Sequence, residues 1–157
     1  MAESLPLDRI DREILDVLAQ DGRISMTELG ARVGLSKTPV TARVRRLEAD
    51  GVITGYRAEL SPGRLGLTHI AFLEIRLSDT REQALKAFNA AVREIVEVEE
   101  CHMIAGGFDY LVKVRTHDIG AYRRVLSEKI SRLPNLASTA TFVSMEAVRD
   151  PGVQQLG

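Results

Sequence analysis

The densest chemistry in the sequence lies in LSKTPVTARVRRLEADGVITGY, residues 35 to 56, where Ser36, Lys37, Thr38, Thr41, Arg45 and Arg46 fall within one short stretch. Hydroxyls and uncovered amides at a helix start can hold phosphate oxygens, and an arginine fork can reach a guanine edge or another phosphate. Residues 35 to 57 carry five cations (Lys37, Arg43, Arg45, Arg46 and Arg57) against Glu48 and Asp50, in a chain whose formal net charge is only -1. So neutral a chain has no general attraction to nucleic acid, and any such contact must be local.

A second stretch, GGFDY at residues 106 to 110, allows two readings. Turns favour glycine, so Gly106 and Gly107 make an ordinary hairpin. Equally, amides without side chains are open to a ligand carboxylate, and Asp109 can accept from a ligand ammonium. Both readings stand at this point.

Other reactive residues carry less. Cys101 and His102 are adjacent on a strand, so they point to opposite faces, and no second cysteine or nearby histidine completes a metal set. Cys101 is read as a small apolar residue sharing a face with Met103. His69 and His117, at a strand start and a strand end, are expected in solvent. With no nucleophile elbow, phosphate loop or metal-binding histidine pair, the chain is read as a non-enzyme without metal or cofactor.

The elements that position these residues follow from pattern. Residues 8 to 21 read as a helix capped by Asp8, with Ile10, Ile14, Val17 and Leu18 on one face. Ser25 and Glu28 have capping-box spacing and open a short second helix with Leu29 and Val33 inward. Gly34 can end it in the left-handed conformation, Leu35 can pack, and Ser36 can cap a third helix running to Asp50-Gly51. Two helices joined by a short glycine-containing turn match a helix-turn-helix. On the third helix Val40, Val44 and Leu47 form the buried side, while Thr38, Thr41, Ala42, Arg45 and Arg46 face outward. The pieces VI and YRAEL that follow are expected to pair as a two-stranded wing.

The pattern changes after SPGRLGL, residues 61 to 67. Strands are expected at 70–77, 98–105, 109–116 and 137–148, with helices at 81–95 and 118–133. The first helix turns Leu85, Phe88, Val92 and Ile95 inward, and the second Ile119, Tyr122, Leu126, Ile130 and Leu133. That order is βαββαβ, a ferredoxin-like sheet with helices on one face. The expected class is therefore α+β: a winged helix-turn-helix over residues 1–60, a linker over 61–68, and a ferredoxin-like domain over 69–157. On the other sheet face Ile70, Phe72, Glu74 and Arg76, with Ala140, Phe142, Ser144 and Glu146, mix apolar and polar types, which suits a surface covered by a second subunit.

At 157 residues, with 45% hydrophobic and 27% charged content, the chain has the composition of an ordinary globular protein. One cysteine permits no intrachain disulfide, and no stretch approaches the ~18 apolar residues of a membrane span. MAESLPLDRIDRE lacks signal-peptide order, so the expected location is cytoplasmic and no membrane partner is expected.

Taken together, LDRIDREIL, DGRIS, LS-TP followed by RVRRLE, GVI and GY, and ECH followed by FDYL resemble the Lrp/AsnC, or feast/famine, family of transcription regulators, over about residues 7 to 148. The likeness is greatest to the leucine-responsive branch. The resemblance implies a DNA-binding regulator acting on double-stranded DNA, with homodimers assembling into tetramers or octamers and an amino-acid effector held between dimers. The identity of that effector is not carried by the resemblance and stays open among leucine, another branched-chain residue, methionine and proline. It places the effector near Met103, Ala105, Gly106, Gly107 and Asp109, with Phe142, Val143 and Ser144 of the last strand and Ile119 from an adjacent dimer. Family members often carry Asp where Gly107 stands. The rival reading is a nucleoid-type architectural protein that bends DNA without a ligand.

Overall fold

The structure is a computed structural model that describes residues 6–153; the expected domain limits at 1 and 157 fall outside the described residues. The chain divides into two compact units between Ala58 and Glu59.

In the first unit, α1 (Arg9–Gln20) opens with a reciprocal cap. The Asp8 carboxylate accepts the Asp11 N–H at 2.8 Å, and the Asp11 carboxylate accepts the Asp8 N–H at 3.2 Å. Helix α2 (Met26–Val33) repeats the device with Ser25 and Glu28, then ends at Gly34 with φ 72°, a conformation that costs glycine little. The turn is tight. A Cβ on Gly30 would sit 2.5 Å from the Leu35 carbonyl oxygen, so only glycine fits where α2 meets the turn. Helix α3 (Lys37–Ala49) follows; Ser36 takes the N-cap position, but its hydroxyl makes no capping hydrogen bond, contrary to expectation.

Val40, Val44 and Leu47 of α3 close a core with Ile14, Ile24, Leu29 and Val33. The expected pairing of VI with YRAEL is not formed: residues 52–59 contain no strand. Val52 and Ile53 instead pack on the helical core, and their N–H groups donate to the Leu47 carbonyl at 2.9 and 3.0 Å, satisfying the end of α3. A segment bonded back to the helix in this way has no free edge for a ladder.

In the second unit, the expected linker holds a capped helical turn, α4 (Pro62–Leu65), with Ser61 as cap and Pro62 at the first position. The order then runs β1 (His69–Leu77), α5 (Glu82–Arg93), β2 (Val98–Met103), β3 (Tyr110–Thr116), α6 (Ile119–Glu128), a 3₁₀ turn (Ile130–Arg132) and β4 (Leu136–Val143). The four strands lie in the order β2-β3-β1-β4, and each neighbouring pair is antiparallel. One sheet face, with Ala71, Leu73, Ile75, Val112 and Val114, packs on Phe88 and Val92 of α5 and Tyr122 and Val125 of α6.

Several boundaries differ from expectation. Strand β2 stops at Met103, the 118–133 helix breaks after Glu128 into the 3₁₀ turn, and β4 stops at Val143. Beyond β4 the chain leaves the ladder, and Asp150 meets the Arg115 guanidinium, with both carboxylate oxygens 2.8 Å from one nitrogen. Val153 bridges Leu60. Two histidines also find partners: His69 is half-buried with Nδ1 3.0 Å from the Thr116 hydroxyl, and His117 Nδ1 is 3.1 Å from the Gly66 carbonyl oxygen.

Candidate functional site

The outer surface of α3 is assembled from its own first turn and middle. Ser36, Lys37, Thr38, Ala42, Arg45 and Arg46 are exposed, and Thr41 is half-buried. The Thr41 hydroxyl donates to the Lys37 carbonyl at 2.7 Å, so it keeps only acceptor capacity for a partner. Arg45 forms no ion pair within the described residues and projects from the outer face.

The other arginines of RVRR behave differently. Arg43 donates to Asp8 at 2.6 Å and to Asp11 at 2.8 Å, and Arg46 donates to the second oxygen of Asp11 at 2.5 Å. Asp11 is only 1% exposed. Its burial pushes the carboxyl pKa up, but the Arg43 hydrogen bond, the Asp8 N–H and Arg46 outweigh that and hold it below the ordinary value. Two of the three arginines thus fix α3 to α1 through one buried carboxylate. Nothing near Asp11 in the sequence marks this role, because a pair formed between residues 32 and 35 positions apart leaves no local signal.

In the second unit, the residues expected at the effector lie at two ends of one sheet. The 104–109 loop is at the end of β1: Asp109 N–H donates to the Ile75 carbonyl at 2.9 Å, and the Leu77 N–H donates to Asp109 Oδ2 at 2.7 Å. The Asp109 carboxylate is thus engaged by the fold at one oxygen. Neither Gly106 nor Gly107 adopts a positive φ, and a Cβ on Gly107 would meet nothing within 4 Å. The turn therefore does not itself require glycine there, against the hairpin argument from composition.

At the opposite end, Phe142 pairs with Phe72, Val143 with Ala71, and the Ser144 N–H donates to the Ile70 carbonyl at 2.9 Å. Ile119, expected inward, is 53% exposed at the start of α6, and α6 follows β3, whose Thr116 pairs with His69 at this same end. The six residue steps from Ala71 to Leu77 separate the two groups by roughly 20 Å at strand rise. Met103 and Phe142 also occupy opposite edge strands. Met103 pairs with Tyr110 on the helix-covered face, whereas Phe142 stands on the other face, and the two are 56% and 54% exposed. One chain does not bring them together.

That other face carries Phe72 and Phe142 side by side, then Lys113 and Arg115, both buried, with Glu99 and Asp150. A bulge in β2 between Val98 and Glu100 turns Glu99 toward Arg115, a pairing that strand alternation alone does not reveal. Cys101 packs toward the core, and its burial raises the thiol pKa. Among the described residues no three His, Cys, Asp or Glu side chains converge as a metal set, and no helix is long and apolar enough to cross a membrane.

Known proteins give this geometry its setting. A family profile described as a winged helix-turn-helix DNA-binding domain matches residues 7–54, and one described as an Lrp/AsnC ligand binding domain matches residues 70–153. The chain is 62% identical to a proline dehydrogenase transcriptional activator of Rhodobacter capsulatus, over 90% of this chain and 92% of that protein. It is 50% identical to the leucine-responsive regulatory protein of Salmonella typhimurium, over 91% and 87%. A transcriptional regulator of Neisseria meningitidis, solved as its L-methionine complex, superposes with a TM-score of 0.86 at 28% identity, covering 97% of each chain. With a DNA-binding helix-turn-helix followed by this ligand-binding sheet domain, the chain belongs to the Lrp/AsnC family of transcriptional regulators.

Proposed function

We propose that this regulator changes its DNA binding or its assembly in response to a small amino acid, with proline as the first candidate and leucine, other branched-chain residues and methionine as graded alternatives. The observation that carries the response is the pairing of the two units in one chain: a helix-turn-helix with a free outer face, and a ligand-binding domain with two exposed groups of candidate residues. Proline is favoured by the name of the 62% identical relative, and a general amino-acid ligand by the methionine complex of the structural neighbour.

DNA is contacted by Ser36, Lys37, Thr38, Thr41, Arg45 and Arg46 within the 1–60 domain, acting in the cytoplasm. Arg45 reads a base edge, and Lys37 with the exposed first turn of α3 holds phosphate. The 69–157 domain assembles and holds the effector. Gly106 and Gly107 amides meet its carboxylate, the free oxygen of Asp109 meets its ammonium, and Met103, Ala105, Phe142, Val143, Ser144 and Ile119 surround its side chain. Since the two sheet ends lie too far apart in one chain, the pocket is completed between copies. A homodimer grows to a tetramer or octamer, which sets several α3 faces against successive major grooves.

A thermal-shift screen of the twenty amino acids, followed by DNA-binding titrations with and without each hit, tests this. A ligand at 100 times its dissociation constant adds about 2.7 kcal/mol. DNA bending with no response to any amino acid would return the architectural reading.

A further inference from the structure

The buried carboxylate between α1 and α3 does more than dock two helices. We propose that Asp11 is a positioning residue for DNA recognition: by anchoring the Arg46 guanidinium at Nη2, it presents the remaining donors to the nucleic acid already oriented. This rests on the reading that the outer face of α3 meets DNA.

The geometry separates the three arginines into distinct roles. Arg43 is half-buried and bonded to both Asp8 and Asp11, so it acts as a brace. Arg46 uses only Nη2 toward Asp11, and its side chain is 50% exposed. Its Nε and Nη1 hydrogens are left for solvent or a ligand. Guanidinium is a planar fork of five donors, so anchoring Nη2 restricts the directions open to the rest. Arg45, with no such anchor, must be ordered when it binds.

Asp11 can do this because it is buried and bonded at both carboxylate oxygens. Its own backbone is in the first turn of α1, its carboxylate accepts the Asp8 N–H, and Arg43 bonds its other oxygen. Lowered below the ordinary carboxylate value, it stays ionised wherever the protein is folded near neutrality. A neutral oxygen would hold the guanidinium less tightly. Arg43, Arg46, Asp8 and Asp11 together are neutral, which makes the cluster a source of directed hydrogen bonds, while Lys37 and Arg45 supply the net charge.

Ordering a flexible side chain on binding costs enough that pre-ordering is worth about two- to tenfold in affinity. The test is a double-mutant cycle on the full chain, with Asp11→Asn, Arg46→Gln and the pair, measured by DNA-binding titration below the melting temperature of every variant. Asp11→Asn should weaken binding by about two- to tenfold, and the double variant should bind no worse than Arg46→Gln alone, because Asp11 acts through Arg46. Additive losses would make Asp11 a purely structural dock and overturn the proposal. Tighter binding by Asp11→Asn would overturn it too, since Asp11 would then compete with DNA for Arg46.

A second measurement needs no variant. In the free parent protein, NMR relaxation of the Arg46 Nε–H should already match the backbone, and Arg45 should become ordered only on adding DNA. An Arg46 side chain that is mobile until DNA is added would sink the proposal even if Asp11→Asn does not fold. If neither Arg45→Ala nor Arg46→Gln alters DNA affinity, it is the placement of the interface on α3 that fails, an outcome distinct from additivity.

Discussion

Leu77 and Asp109 lie 32 residues apart in sequence and meet at the end of β1, where the Leu77 N–H donates to Asp109 Oδ2 at 2.7 Å. Asp109 therefore has a structural task at one carboxylate oxygen and can have a ligand task at the other. The two are separable by substitution. Asp109→Asn keeps an oxygen for Leu77 and should leave the melting temperature nearly unchanged, yet abolish the calorimetric signal of effector binding. Asp109→Ala should lose the effector and also about 1 kcal/mol of stability. If Asp109→Asn binds effector as tightly as the parent, the residue serves only the turn.

Gly107 has room for a side chain and no positive φ, so Gly107→Asp should fold with an unchanged melting temperature. The added carboxylate would stand next to the amides assigned to the effector carboxylate. Effector affinity should therefore change at least severalfold, with the order of preferred amino acids altered, as read by titration of the same panel.

The arginines of α3 should part company. Arg45→Ala should weaken DNA binding by about 1 to 3 kcal/mol and relax preference at one position of each half-site, with no loss of stability. Arg43→Ala should lower stability first, read as a lower midpoint in urea titrations, because it leaves Asp8 and the buried Asp11 short of a partner. Equal stability of the two variants would contradict the brace assigned to Arg43.

Acid should act on the helix-turn-helix unit through Asp11. Its folded pKa lies below its ordinary value of 3.8. Its contribution is therefore complete above about pH 4 and is lost as the pH falls through the lower folded value. Thermal melts from pH 6 downward should show the parent losing stability below about pH 4 more steeply than Asp11→Asn. Parallel curves would mean that Asp11 is no better held in the folded state than in the unfolded one.

Phe72 and Phe142 are paired across β1 and β4 on the sheet face that the helices leave uncovered. Phe142→Asp should reduce the oligomer size of the full chain in light scattering at micromolar concentration and weaken DNA binding through lost multivalency. An unchanged mass would place the assembly surface elsewhere.

The helices, their order and the βαββαβ string were legible because they rest on local rules. Caps at Asp8 and Ser25, the left-handed Gly34, and 3.6- and 2-residue apolar periods act within a few residues, and the sequence displays them directly. The exposed row Lys37, Thr38, Arg45 was legible for the same reason. What the tertiary structure decided are pairings between distant residues: Asp11 with Arg43 and Arg46, Glu99 and Asp150 with Arg115, and Leu77 with Asp109. Val52 and Ile53 belong here as well, because a core to pack against and a carbonyl to satisfy drew them away from the expected wing ladder. So does the separation of Met103 from Phe142. Alternation along one strand gives a residue's face only relative to its neighbours, whereas strand order and direction, fixed by the packing of the whole sheet, decide which faces and which ends coincide.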